Sequence, residues 1–151
     1  MRRFLSLLLL VLTATMGLVI SPNSALAAEF VSKSLEGANV YIIAPEDGET
    51  VPGTFKVKFG LSGMGIAPAG IEKDGTGHHH LLVDIDSLPD LSEALSASDQ
   101  IKHFGGGQTE TTLTLPPGDH TLQLVLANYV HIPHNPPVIS EPINITVGGA
   151  L

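Results

Sequence analysis

All seven histidines of this sequence fall between residues 78 and 134. His78, His79 and His80 are consecutive, and His103, His120, His131 and His134 follow. Unprotonated imidazole is a ligand for copper and zinc. Successive side chains of a β-strand point to opposite faces, so His78 and His80 share one face while His79 joins Leu81 and Val83 on the other. A His-x-His pair on one face projects two parallel imidazoles, a good start for a metal site. His79 reads instead as a core histidine whose ring nitrogens bond backbone groups. His131 and His134 form a second pair, in a loop stiffened by Pro133, Pro136 and Pro137. Ligands on a stiff loop lose little freedom on binding. These four are the leading candidate ligands for copper or zinc.

His103 and His120 stand behind them. His103 precedes Phe104-Gly105-Gly106-Gly107-Gln108, whose glycines permit a strand edge to approach the other histidines closely. His120 shares a face with Leu122, Leu124 and Leu126, where packing a turn is as natural a role as ligation. Asp84 and Asp86 fall on the His78 and His80 face by alternation, as ligands, orienting groups or solvated acids. Because only neutral imidazole binds metal, affinity is expected to fall as pH drops through about 6.5.

Other chemistries are poorly served. The sequence has no cysteine, which excludes thiolate ligands, thiol redox chemistry and cysteine nucleophiles. Neither a Gly-x-Ser-x-Gly elbow nor a His-Glu-x-x-His pair occurs. The glycine run after His103 lacks a P-loop lysine. No residue set specifies a hydrolase or an oxidoreductase, and the reading leans away from an enzyme.

The elements that must position these histidines are short and β-like. Val40–Ile43 is a strand run, followed by turn chemistry at Pro45-Glu46-Asp47-Gly48. Phe55, Val57 and Phe59 alternate with Lys56 and Lys58, the pattern of a half-buried strand. Residues 60–77 carry six glycines and read as a loop. A strand through the histidine triplet follows. Residues 88–98 are the helical candidate, with Leu88, Leu91 and Leu95 at helical spacing. Glu110–Leu115 and Thr121–Ala127 read as strands around the tight turn Pro116-Pro117-Gly118-Asp119. Residues 128–137 read as a Pro/His loop. A last strand, Val138–Val147, is interrupted by Pro142. The expectation is an all-β fold: an immunoglobulin-like antiparallel β-sandwich with one short helix in a loop.

The first residues read as a cleavable secretory signal peptide, residues 1–27. Arg2 and Arg3 precede a 17-residue apolar run, residues 4–20, and Ala25-Leu26-Ala27 forms a cleavage site. The run falls short of the roughly 20 residues that span a bilayer. Residues 28–38 are then a flexible lead and residues 39–151 a single domain, with no membrane span after cleavage. Loss of Arg2 and Arg3 takes the formal charge from −8 to −10. Such acidity argues against nucleic-acid partners and anionic membrane surfaces. The expected location is periplasmic or secreted.

Four strings of residues resemble one family. They are GHHHLLVD at 77–84, HFGGGQTE at 103–110, PPGDHTLQL at 116–124 and HIPHNPPV at 131–138. They resemble a family of small bacterial exported domains of unknown function, number 4399, over about residues 39–147. The resemblance implies that the histidines and the glycine run belong to one recurrent pattern, and it supplies no activity. Members of that family tend to carry Asp where this chain has Asn128 and Asn135, which bears on affinity for a hard cation. Two functions follow from the residues. One is an exported His-rich protein binding copper or zinc. The other is a non-catalytic immunoglobulin-like interaction or structural module, its histidines tying loops to strands and its partner an envelope protein.

Overall fold

The structure, a computed structural model, describes residues 30–149; the expected signal segment lies outside the described residues. Among the described residues ten strands follow one another: β1 (Asn39–Ala44), β2 (Thr50–Val51), β3 (Thr54–Ser62), β4 (Gly65–Ile66), β5 (Thr76–Val83), β6 (Ile101–His103), β7 (Glu110–Thr114), β8 (Gly118–Ala127), β9 (Pro133–Ile139) and β10 (Ile143–Val147). Among the described residues, no helix is long and apolar enough to cross a membrane.

The strands form two sheets. The smaller has the order β1-β3-β7, paired antiparallel throughout. The larger runs β2-β10-β8-β5-β4, with β6 added to β5 and β9 to β8. Every second residue of each strand points to the facing surfaces, as period two requires. Phe55, Val57 and Phe59 of β3 pack against Leu81 and Val83 of β5, Leu122, Leu124 and Leu126 of β8, and Ile145 and Val147 of β10.

The all-β sandwich holds, with two corrections. First, the pairing is mixed: β2 lies parallel to β10, and β4 parallel to β5. The loop between β4 and β5 carries the chain back to the end at which β4 began, which a hairpin cannot do.

Second, the expected helix over residues 88–98 is absent. Asp90 captures this segment at its start, its carboxylate accepting from the Ser92 amide at 2.9 Å and the Ser92 hydroxyl at 2.6 Å. Such side-chain bonds offer the backbone an alternative to helix. Two turns of helix also gain too little to offset nucleation without a packed face. Leu88 stays exposed while Leu95 is buried, so the leucine spacing does not form one packed stripe.

That segment instead forms a third layer. Leu95 packs on Leu82 and Val125, on the outer face of the larger sheet, with Ile85, Ile101 and Ile139 around them. The larger sheet is therefore covered on both faces where β5 and β8 pair. Consequently β5 is buried from Gly77 to Val83 without alternation. Residues 32–35 lie along β9: Asn135 donates to the Ser32 carbonyl at 2.9 Å and accepts from Ser34 at 3.3 Å.

Candidate metal centre

Strand β5 sets the two central histidines. Its register against β8 opposes His78 to Ala127, His79 to Leu126 and His80 to Val125. His79 therefore enters the core between the sheets, while His78 and His80 point to the outer face. On the other edge of β5, His80 pairs directly with His103 of β6. The glycine run after His103 gives its ring space: a Cβ at Gly105 would overlap the His103 imidazole.

His131 arrives from the loop after β8. Its φ is +70°, a left-handed conformation uncommon for a residue with a Cβ and a mark of local constraint. Asn128 builds that loop. Its side-chain carbonyl accepts from Val130 and Ile132, each at 3.1 Å, and its amide donates to the Phe30 carbonyl at 2.7 Å and the Ser32 hydroxyl at 3.0 Å. The His131 amide donates to the Asn128 carbonyl at 2.9 Å, and the His131 carbonyl accepts from Leu95 at 2.9 Å. The covering layer and the loop are thus fastened to each other at the histidine. Both ends of the Asn128 amide are used in this scaffold, one as acceptor and one as donor, which an ionised Asp could not match.

Four imidazoles converge as a result. Ring centroids of His78, His80, His103 and His131 are separated by 4.8 to 6.0 Å in every combination. His78, His80 and His103 each offer a ring nitrogen within 4.8 Å of the others, and the His131 ring, although beside them, lies outside that set of converging nitrogens. His78 and His80 are fully buried, whereas His103 is exposed and His131 half-buried. No ring nitrogen of His78 or His80 has a hydrogen-bond partner. Burial, followed by the neighbouring imidazoles His103 and His131, lowers the His78 pKa to about 4. Burial and then His78, His103 and His131 lower His80 to about 3. His103 is lowered as well, by burial and then by His131. Both buried rings are neutral at pH 7, the form that ligates.

The other three histidines are used elsewhere. His134 is buried with Nδ1 facing the Leu126 carbonyl at 3.3 Å and Nε2 facing the Thr76 carbonyl at 3.1 Å, so its N–H meets an acceptor in either tautomer. His120 places Nδ1 2.7 Å from the Asp84 carboxylate and Nε2 2.8 Å from the Pro116 carbonyl. The Asp84 hydrogen bond is the main cause that raises the His120 pKa. His79 stacks on Phe59 at 5.1 Å and sets Nδ1 3.4 Å from the Gln108 carbonyl, while its buried Nε2 has no partner, so only one of its ring nitrogens bonds the backbone as expected. Asp84, with φ +52°, leaves the strand and turns to His120, away from His78 and His80.

Of the six candidate ligands, the structure brings together His78, His80, His103 and His131 and keeps His120 and His134 apart. The residues that steer the cluster were not singled out by the sequence for that role: Asn128, which shapes the His131 loop, and Leu95, which anchors it. A side-chain amide opening a Pro/His loop was the available signal for Asn128. Leu95 offered none beyond its apolar character.

A family model, Domain of unknown function (DUF4399), matches residues 57–148, a span that includes all seven histidines. No curated protein matches the sequence. Among solved structures, the endo-β-1,4-mannanase from Thermotoga petrophila aligns at 19% identity and a TM-score of 0.44, covering 78% of this chain and 21% of that one. This chain thus spans about a fifth of the mannanase. The fibronectin(III)-like modules of CbhA from Clostridium thermocellum align at 15% identity and a TM-score of 0.38, covering 74% of this chain and 99% of that one.

Proposed function

The chain belongs to the DUF4399 family, and we propose that it is an exported protein that binds a transition metal, copper or zinc, through His78, His80, His103 and His131. One observation carries the reading: four nitrogens on two fully buried imidazoles have no hydrogen-bond partner, at the centre of a four-histidine cluster. Buried polar atoms are partnered in the great majority of cases, and an orphan costs about 1–3 kcal/mol. Ligation to a metal gives one nitrogen of each ring its partner. The residues fit such an ion, since imidazole without thiolate or carboxylate suits copper and zinc and not calcium or magnesium. Export rests on the n-region, apolar run and cleavage site of residues 1–27. A cysteine-free domain enters an oxidising compartment with no covalent change.

The alternative, a structural module, is favoured by the partners of His120 and His134 and accounts for those histidines alone. Titration of the purified protein with Zn(II) and Cu(II), followed by calorimetry, tests the metal reading. One equivalent is expected to bind. The His78→Ala/His80→Ala variant is expected to lose this binding while His120→Ala retains it. If the double variant binds as tightly as the parent, the site is elsewhere.

A finer test uses the space at Gly105. Gly105→Ala is expected to push the His103 ring aside and to weaken metal binding about 10- to 100-fold, the range for disturbing a ligand's support. Neutral-pH stability should change by less than about 1 kcal/mol, because the ring moves into solvent and not into the core. Unchanged affinity would remove His103 from the ligand set.

A further inference from the structure

The six separations among the four imidazoles contain information about coordination geometry. A metal–nitrogen bond of about 2.0 Å places the centroid of each bound ring about 3.2 Å from the ion. Four such centroids at tetrahedral positions lie about 5.2 Å apart in all six combinations. In a square plane, four separations shrink to about 4.5 Å and two grow to about 6.4 Å. Here five of the six lie between 4.8 and 5.1 Å, and one, between His80 and His131, is 6.0 Å. The centroids follow the tetrahedron, stretched along the His80–His131 edge alone, while the opposite pair, His78 and His103, stays at 5.1 Å.

Resting on the metal-binding reading above, we infer that the site becomes a closed, tetrahedral four-imidazole centre on taking a d10 cation, Zn(II) or Cu(I), with His131, whose ring stands beside the three converging nitrogens of His78, His80 and His103, turning in as its fourth ligand. The elements that hold the rings resist conversion to a plane. His78 and His80 are fixed side by side on one strand, and His103 is fixed opposite His80 by the β5–β6 register. His131 is delivered from above that sheet by a loop in which Asn128 bonds both flanking amides. Flattening the set needs a shift of β6 against β5 or of the loop against Leu95, and both are hydrogen-bonded.

Closure has a functional consequence. Four protein ligands leave no coordination position for a substrate or an activated water, so the centre holds its ion and does not use it as a Lewis acid. The ion reaches the site past His103, the exposed imidazole of the four.

Cobalt(II) is the probe, because a tetrahedral ion absorbs strongly in the visible and an octahedral one weakly. One equivalent of Co(II) added to the purified protein is expected to give the intense tetrahedral bands and to be displaced by Zn(II). In a parallel arm, Cu(I) held anaerobically by a competing chelator is expected to bind at the same stoichiometry and to block Co(II). The test variant is His131→Asn, since Asn tolerates the left-handed backbone. It is expected to bind Co(II) at least about tenfold more weakly and with the weak bands of a higher-coordinate, water-bearing ion. Circular dichroism and thermal midpoint close to the parent's establish that it folds; if they are not, His131→Gln replaces it under the same criteria. Weak octahedral bands from the parent, or an unchanged spectrum in the folded variant, would overturn the tetrahedral assignment and leave metal binding intact. No metal uptake at all by the parent overturns the metal reading, and the geometry with it.

Discussion

Lowering the pH from about 6.5 to 4 is expected to cost the metal-free protein about 5 kcal/mol of stability, read as a falling urea midpoint in chelator. In the unfolded chain a histidine takes its proton near 6.5. In the folded protein His78 waits until about 4 and His80 until about 3. Between these values the unfolded state binds more protons, so stability falls as pH falls, by about 1.4 kcal/mol per unit for each histidine. Above 6.5 both states are neutral at these positions and the contribution is complete. His120 acts with the opposite sign. Its folded pKa is raised, so its contribution is complete below 6.5 and is lost as pH rises through the folded value. The stability maximum is therefore expected near or slightly below neutrality. A loss of the size expected is comparable to the whole stability of a small domain, so the acid limb ends in unfolding. His80→Leu tests the assignment, because it removes one titrating group and two orphaned nitrogens together. The acid limb should become shallower and stability at pH 7 should not fall, since an apolar replacement leaves nothing unpaired. A limb as steep as the parent's, or a marked loss at pH 7, would show that His80 is a satisfied structural residue.

Gly77→Ala is expected to destabilise the protein by about 3 kcal/mol, measured by urea denaturation at pH 7. A Cβ at this position would lie 2.5 Å from the Ala127 carbonyl, 2.9 Å from His134 Cε1 and 3.0 Å from Leu126 Cγ. The nearest of these is backbone in the neighbouring strand, so no rotamer change relieves the contact. Either β5 and β8 separate at the pair His78 and Ala127, or His134 leaves the carbonyls of Leu126 and Thr76. Both routes break hydrogen bonds in a buried setting. The first also moves His78, so the metal affinity of the surviving folded protein should fall with stability. Gly70→Ala is the control: φ there is +80° and open space surrounds the site, so only local backbone strain of about 1 kcal/mol is expected. Equal losses at the two glycines would mean that backbone conformation, and not the close approach at Gly77, sets the cost.

Much of the scaffold was legible because β structure writes its period into the sequence. Phe55, Val57 and Phe59 against Lys56 and Lys58 announced a strand and its buried face. The strand over residues 121–127 was equally plain, but it begins earlier, at Gly118, so the turn expected at residues 116–119 is instead a short link over residues 115–117 that passes from one sheet to the other. The loop expectations for residues 60–77 and 128–137 were too broad. Gly65–Ile66 pairs with Thr76 and Gly77, and Pro133–Ile139 pairs with β8. Short pairings in Gly- or Pro-rich sequence carry no period to read. The helix over residues 88–98 failed because three leucines at helical spacing also suit an irregular segment that buries one of them.

What the sequence determined by itself is local and chemical. It named imidazole as the unusual chemistry, removed thiol chemistry, and, through the two-residue period of a strand, put His78 and His80 on one face and His79 on the other. Which distant histidines join them was decided by tertiary structure alone. His103 is placed by the register of β6 against β5, and His131 by a loop that Asn128 bends and Leu95 anchors. His134, three residues from His131, is taken by the carbonyls of Leu126 and Thr76, and His120 by Asp84. The physical reason is that an imidazole's role is set by what its two nitrogens meet. Those partners come from strands paired across the sheet, at separations that no local pattern encodes.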